Sequence, residues 1–180
     1  SPPLPGAASV KQQGFSLVEL VVTVVVLVSV SMLAIPAFQT AIGNAQIRTV
    51  TESIHNGLQQ ARMEAIKRNA KIKFTLATSS AWQYGCETVT APCPALVSKK
   101  SAAEGSSQNI SITADAFVTT FSSFGTRDPA LASAMSQVDV VNSAVTADER
   151  RALRIVLSAG GVARVCDPSV TTAGDPRKCA

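Results

Sequence analysis

The chain has one histidine in 180 residues, His55. It has no Cys-x-x-Cys spacing, no paired histidines, no phosphate-cradling glycine loop and no nucleophile elbow. Those absences remove the usual means of holding zinc, binding a nucleotide or activating a serine. His55 falls on an amphipathic helical stretch, where a lone histidine is more often a surface or interface residue than a base. The chain is therefore expected not to be an enzyme, and neither a cofactor nor a metal is expected. No internal repeat is visible, which sets solenoids aside. Ahead of the apolar run only Lys11 supplies positive charge, so charge counting says little about membrane orientation.

What the chain does have is a long apolar run, Phe15 to Ile35, with Glu19 inside it. The run is long enough to cross about 30 Å of hydrocarbon. A secretory signal would have a shorter apolar core with a small-residue cleavage site after it. A carboxylate near the start of such a helix is costly unless a specific partner meets it. Gly14 directly precedes Phe15, and Lys11 with two glutamines precedes that.

Gly14, Phe15, Leu17, Glu19 and Leu20, followed by the apolar run, resemble the processing site of type IV prepilins and pseudopilins. The resemblance implies that a peptidase cuts after Gly14 and that the new Phe15 amine is methylated. It further implies that Glu19 meets the N-terminal amine of a neighbouring subunit during filament assembly. Residues 1–14, rich in proline, are then expected to be part of a leader, and residues 15–36 a transmembrane and filament-core helix. An ordinary single-span anchor is the plainer alternative.

At Pro36 the helix is expected to kink, because proline removes a backbone donor. Beyond it, Phe38, Ile42, Ala45, Ile47, Val50, Ile54, Leu58, Ala61 and Ala65 recur mostly three or four apart. Arg48, Glu52, Gln59, Arg62 and Lys67 fall largely on the other face, so residues 37–69 read as an amphipathic helix. Gly43 and Gly57 are expected to weaken it, by up to about 1 kcal/mol each relative to alanine. After Asn69 the period changes to two. Strands are expected at Lys71–Leu76, Trp82–Cys86, Asn109–Thr113, Phe117–Phe121, Gln137–Val141, Leu153–Leu157 and Val162–Cys166. Gly160-Gly161 signals a hairpin between the last two. Ala91–Ser107 and Gly125–Ser133 read as loops. The expected fold class is α+β: a long helix packed on an antiparallel β-sheet domain over residues 70–180, with a disulfide-bonded C-terminal region.

Ala61 to Asn69, the Trp82–Gly85 element, Phe124-Gly125 and the final hairpin resemble the GspH/FimT/FimU group. These are minor pseudopilins of type II secretion and minor pilins of type IV pili. The resemblance implies a type IV pilin-like fold in a minor subunit that helps initiate or cap a filament. It implies other minor and major pilins or pseudopilins, prepilin peptidase and the inner membrane as partners. A single span with a periplasmic C-terminal domain, taken up into a pilus or pseudopilus, is the implied location.

The four cysteines permit three pairings. Two local pairs are favoured, Cys86 with Cys93 and Cys166 with Cys179, each closing a loop in an exported setting. Charge is uneven. Phe15 to Glu149 has nine Lys and Arg against ten Asp and Glu, whereas Arg150 to Ala180 has six against two. Such a basic region can bind phosphates without reading sequence. Some FimT-like pilins bind DNA through Gly-Arg-x-Arg in the last hairpin, just before a cysteine. Gly161 to Cys166 resembles that stretch, with Arg164 kept and Val162 in place of the first arginine. Arg164, Arg177 and Lys178 are therefore the candidate DNA contacts, and a solvated charged surface is the competing reading.

Overall fold

A computed structural model describes Gly14, Ser16–Glu104, Ser107–Ala130 and Ala134–Cys179. Residues 1–13 of the expected leader and Phe15 lie outside the described residues, as do the side chains of Leu33, Ala34 and Pro36 and with them the expected kink. The chain divides into two compact units, Ser1–Phe38 and Gln39–Ala180. One helix, α1 (Leu17–Arg68), contributes to both.

The first part of α1 is rich in valine, whose stiff side chain lowers helix propensity. The segment is helical all the same, because an apolar stretch with few polar side chains satisfies its backbone most simply within a helix. Its few hydroxyls turn back onto the helix. Thr23 donates to the Leu20 carbonyl, Ser29 to that of Val25 and Ser31 to that of Leu27. The helix ends on Asn69, which takes φ +48°. Ala70 N–H donates to Ala65 O and Asn69 N–H to Ile66 O, both at 3.2 Å. This is a left-handed cap in which two terminal carbonyls find donors.

Eight strands follow among the described residues: β1 (Ile72–Leu76), β2 (Trp82–Cys86), β3 (Ser98–Lys100), β4 (Ile110–Ala114), β5 (Val118–Phe121), β6 (Gln137–Asn142), β7 (Leu153–Leu157) and β8 (Ala163–Cys166). They form two four-stranded sheets, ordered β3-β2-β1-β5 and β4-β6-β7-β8. Every pairing is antiparallel. A single sheet domain is thus resolved into two sheets that share one helix. Seven strands lie at the expected places, with bounds shifted by a residue or so. The eighth, β3, falls inside the expected loop Ala91–Ser107. It contains Ser98, Lys99 and Lys100, with no alternation to mark it. Pairing to β2 holds it, together with a hydrogen bond from Lys100 Nζ to Ser53 Oγ on α1.

The core is the buried stripe of α1 laid against both sheets. Ile47, Val50, Ile54, Leu58, Ala61 and Ala65 meet Phe74, Phe121, Met135, Val138, Val140 and Ile155 in one cluster. Phe38, Ile42 and Ala45, expected on that stripe, are exposed instead. Burial begins only at Gly43, where the loop carrying Val145 reaches the helix. Gly57 is not merely a weak point in the helix. A Cβ there would lie 2.9 Å from Trp82 Cε2 and 3.1 Å from Phe74 Cε2. The Phe74 and Trp82 rings stack at 5.9 Å, and the indole N–H donates to Ser53 Oγ.

Asp115 ties the link between β4 in one sheet and β5 in the other to the start of β6. Its carboxylate accepts N–H bonds from Ala116, Ser136 and Gln137 at 2.9–3.1 Å, and the Ser136 hydroxyl donates to it as well. Burial is the largest single influence on the carboxyl and pushes its pKa up. The hydrogen bonds from Ser136, Gln137 and Ala116 together outweigh it, holding the pKa below the ordinary value. A lowered carboxylate stabilises the fold above its unfolded pKa, and that contribution is lost as pH falls through the folded value. Urea midpoints measured from pH 7 down past about pH 4 should therefore fall more steeply in the native chain than in Asp115→Asn. Equal acid slopes would show that this clamp contributes nothing.

Candidate functional site

In the N-terminal unit, Glu19 lies in the first turn of α1 and is exposed. Its helix presents apolar side chains outward: Leu17 is 80% exposed, Val18 68% and Met32 69%. No single helix among the described residues is long and apolar enough to cross a membrane. Leu17–Met32 and Ala37–Arg68 pass that test only as a pair. What this segment offers chemically is an uncovered apolar surface with one carboxylate at its head. Such a surface needs lipid or other helices to cover it.

In the C-terminal unit, the cysteines join as Cys86–Cys93 and Cys166–Cys179, with Cα atoms 5.6 and 5.1 Å apart. The first bond closes the loop after β2, and Arg68 Nη1 donates to Pro92 O within that loop at 2.7 Å. The second closes the tail against β8, where Asp167 N–H donates to Arg177 O at 2.7 Å. Closing a loop of roughly this length stabilises by about 3 kcal/mol in the chain-entropy model.

The tail does not unite the three candidate DNA contacts. Arg177 is engaged by Asp175, with Nε at 3.2 Å and Nη2 at 2.8 Å from the carboxylate. The Arg177 side chain and backbone amide together push the Asp175 carboxyl down to about 2. Alternation along β8 turns Arg164 away from the face of Val165, which is paired with buried Ile155. Arg177 lines a cleft of about 780 Å³ with Val165, Leu153, Arg48 and Arg151, and Arg164 is not among its lining residues. Arg164 and Lys178 are exposed and enter no ion pair among the described residues. Of the other basic residues after Glu149, Arg154 is held by Asp139 at 2.7 Å.

Sequence reasoning passed over Asn44, which docks the loop before β7 onto α1. Its amide donates to Glu149 O and its carbonyl accepts the Arg151 N–H, at 3.0 and 2.9 Å. No periodicity marks such a residue, because its partners lie more than a hundred positions away. His55 is half-buried, with Nε2 3.2 Å from Ala163 O, at the contact of α1 with β8.

A long N-terminal helix packed on antiparallel sheets, headed by an apolar segment with an early carboxylate, defines the type IV pilin-like class. The prokaryotic N-terminal methylation motif matches residues 10–35. The family described as type II transport protein GspH matches residues 50–161, and the chain belongs to that family of GspH/FimT/FimU-like minor pilins. The fold is similar to the crystal structure of the type IV minor pilin FimU from Pseudomonas aeruginosa strain PAO1. The TM-score is 0.51 at 16% identity, over 71% of this chain and 96% of that one. A second crystal form of FimU superposes with a TM-score of 0.47 at 16% identity, over 69% and 99%. No curated protein matches the sequence.

Proposed function

We propose that the chain is a minor subunit of a type IV pilus or of a type II secretion pseudopilus, and that it helps initiate or cap the filament. The observation that carries this reading is the exposed apolar surface of residues 17–32 with Glu19 at its head, inside the matched methylation motif. In this reading prepilin peptidase cuts after Gly14 and Phe15 becomes the methylated N-terminus. Residues 15–36 hold the chain in the inner membrane until assembly. Glu19 then meets the Phe15 amine of a neighbour, and apolar helices replace lipid around both. The sheet domain, with no covalent chemistry to perform, faces outward. The test is whether Glu19→Ala excludes the chain from sheared filaments while leaving it in the membrane.

A second reading, weak DNA binding during uptake, is favoured by one observation: Arg164 and Lys178 are exposed and free of ion pairs among the described residues. Arg177, held by Asp175, is the poorest of the three candidate contacts. Labelled duplex titrated at low salt should bind residues 39–180 weakly and without sequence preference. Affinity should fall as salt rises, because neutralised phosphates release counterions. Arg164→Gln with Lys178→Gln should abolish binding, and Arg177→Gln should change it little. Equal binding by the double variant would remove this reading.

A further inference from the structure

Four large apolar side chains stand exposed where three elements converge at the C-terminal end of α1. Phe124 is 84% exposed, Met63 63%, Ile66 46% and Val162 42%. Gly125 brings them together: a Cβ placed there would lie 2.7 Å from Ile66 Cδ1 and 3.2 Å from Arg62 Nε. Gly161, at φ +75°, backs directly onto the Gly125 carbonyl, so the turn of Phe124 and the turn of Val162 abut. Met63 is one helical turn from Ile66 on the same surface.

The site is rigid. Gly125 N–H donates to Ser122 O, Ser122 N–H to Thr126 O, and Arg127 N–H to Ala159 O in the neighbouring turn. Arg62 Nε donates to the Gly125 carbonyl at 2.9 Å. Arg62 enters no ion pair among the described residues, whereas Arg127 Nη1 turns to the Met135 carbonyl at 3.4 Å. An exposed phenylalanine on a braced turn, edged by the Arg62 guanidinium with no carboxylate opposite it, is prepared for a partner rather than for water.

Area and charge indicate what kind of partner. The four side chains present on the order of 400 Å² of apolar surface, about half of what one partner contributes to a stable free-standing complex. A contact of that size holds when another interface already keeps the partners together, since tethering raises the effective concentration. Helix packing in a filament supplies such a tether. The Arg62 guanidinium asks for a carboxylate opposite it, with an apolar recess for Phe124.

We propose that Phe124, Met63, Ile66 and Val162, edged by Arg62, dock the globular domain of a neighbouring filament subunit that presents a carboxylate beside an apolar recess. The inference rests on the reading of the chain as a filament subunit. The test uses the full chain in cells assembling filaments, with a photo-crosslinking phenylalanine derivative at position 124 and, in a separate strain, at Val25 on the apolar helix. The expected result is an adduct from position 124 to a pilin-like subunit, mapped by mass spectrometry to a peptide with Asp or Glu. That adduct should drop at least fivefold with Arg62→Glu. Phe124→Ser should lower recovery in sheared filaments roughly five- to tenfold without shifting the melting temperature, because the side chain contributes little to the fold. Adducts from position 25 but none from 124 overturn the docking surface and leave the filament reading standing. Adducts from neither position remove both. An adduct from 124 to nucleic acid or lipid alone also overturns the proposal.

Discussion

Glu19→Ala is expected to leave the chain in the membrane and to remove it from filaments. The substitution makes the apolar segment more apolar, so retention in lipid cannot suffer. What it removes is the partner of a neighbour's N-terminal amine once both are enclosed by helices. Removing one partner of a buried charge pair strands the other and costs about 3–5 kcal/mol. At 1.4 kcal/mol per tenfold, that is at least a hundredfold loss of incorporation. Glu19→Gln should lie between, since an amide still accepts a hydrogen bond without supplying charge. The amount of chain in sheared filaments, set against the amount in the membrane fraction, decides the matter. Ordinary incorporation of the alanine variant would sink the charge-pair mechanism. A variant lost from the membrane as well would point to folding or stability instead.

Phe74→Ala should destabilise the sheet domain by about 3–5 kcal/mol, a large share of the stability of a domain this size. Phe74 is fully buried, stacks on Trp82 and lies under Gly57 of α1. Removing the ring loses its transfer free energy and leaves a cavity between helix and sheet that a rigid contact cannot close. Gly57→Ala makes the complementary test. Helix propensity alone predicts a gain of up to about 1 kcal/mol. The added methyl, however, would stand 2.9 Å from the Trp82 ring, and overpacking of this kind costs typically 1–3 kcal/mol. Overpacking should win, and the variant should unfold at lower denaturant than the native domain. Urea unfolding of residues 39–180, followed by Trp82 fluorescence, measures both. A stabilised Gly57→Ala variant would mean that the indole shifts aside easily and that the close approach is not a constraint.

These two regions also show how unevenly the chain could be read before its structure. The Phe15–Ile35 run, the amphipathic stripe of α1 and most of the strands were legible because they are periodic over many residues. Periodicity reflects which face is covered, and that is a local property of the chain. The strand β3 escaped because Ser98, Lys99 and Lys100 have no pattern of their own. Pairing with β2 and the bond to Ser53 hold them in place, and both partners are distant in sequence. Ile42 continues the stripe in spacing but not in burial: the loop before β7 meets this stretch of helix through polar bonds, from Thr40 Oγ1 to the Glu149 carboxylate and from the Asn44 amide to Glu149 O, and leaves Ile42 exposed.

The candidate sites divide the same way. Glu19 could be singled out from sequence, since a charge inside an apolar run is anomalous wherever the run goes. The basic residues after Glu149 could be counted but not sorted. Asp139 and Asp175 take up Arg154 and Arg177, while Arg164 is left facing solvent. Phe124 could be noticed only as a neighbour of Gly125, with no sign that Met63, Ile66 and Val162 would stand beside it.

Composition and spacing thus marked out the helix, its apolar segment and the carboxylate within that segment, and the resemblance carried by those short motifs pointed to the class of the molecule. All of these follow from short-range patterns of hydrophobicity and charge. Which arginines stay free, how closely Trp82 approaches Gly57, how the strands split into two sheets and where apolar side chains gather on the surface depend on contacts between residues tens to a hundred positions apart. No local pattern encodes those contacts, because each arises only when the core beneath it has packed.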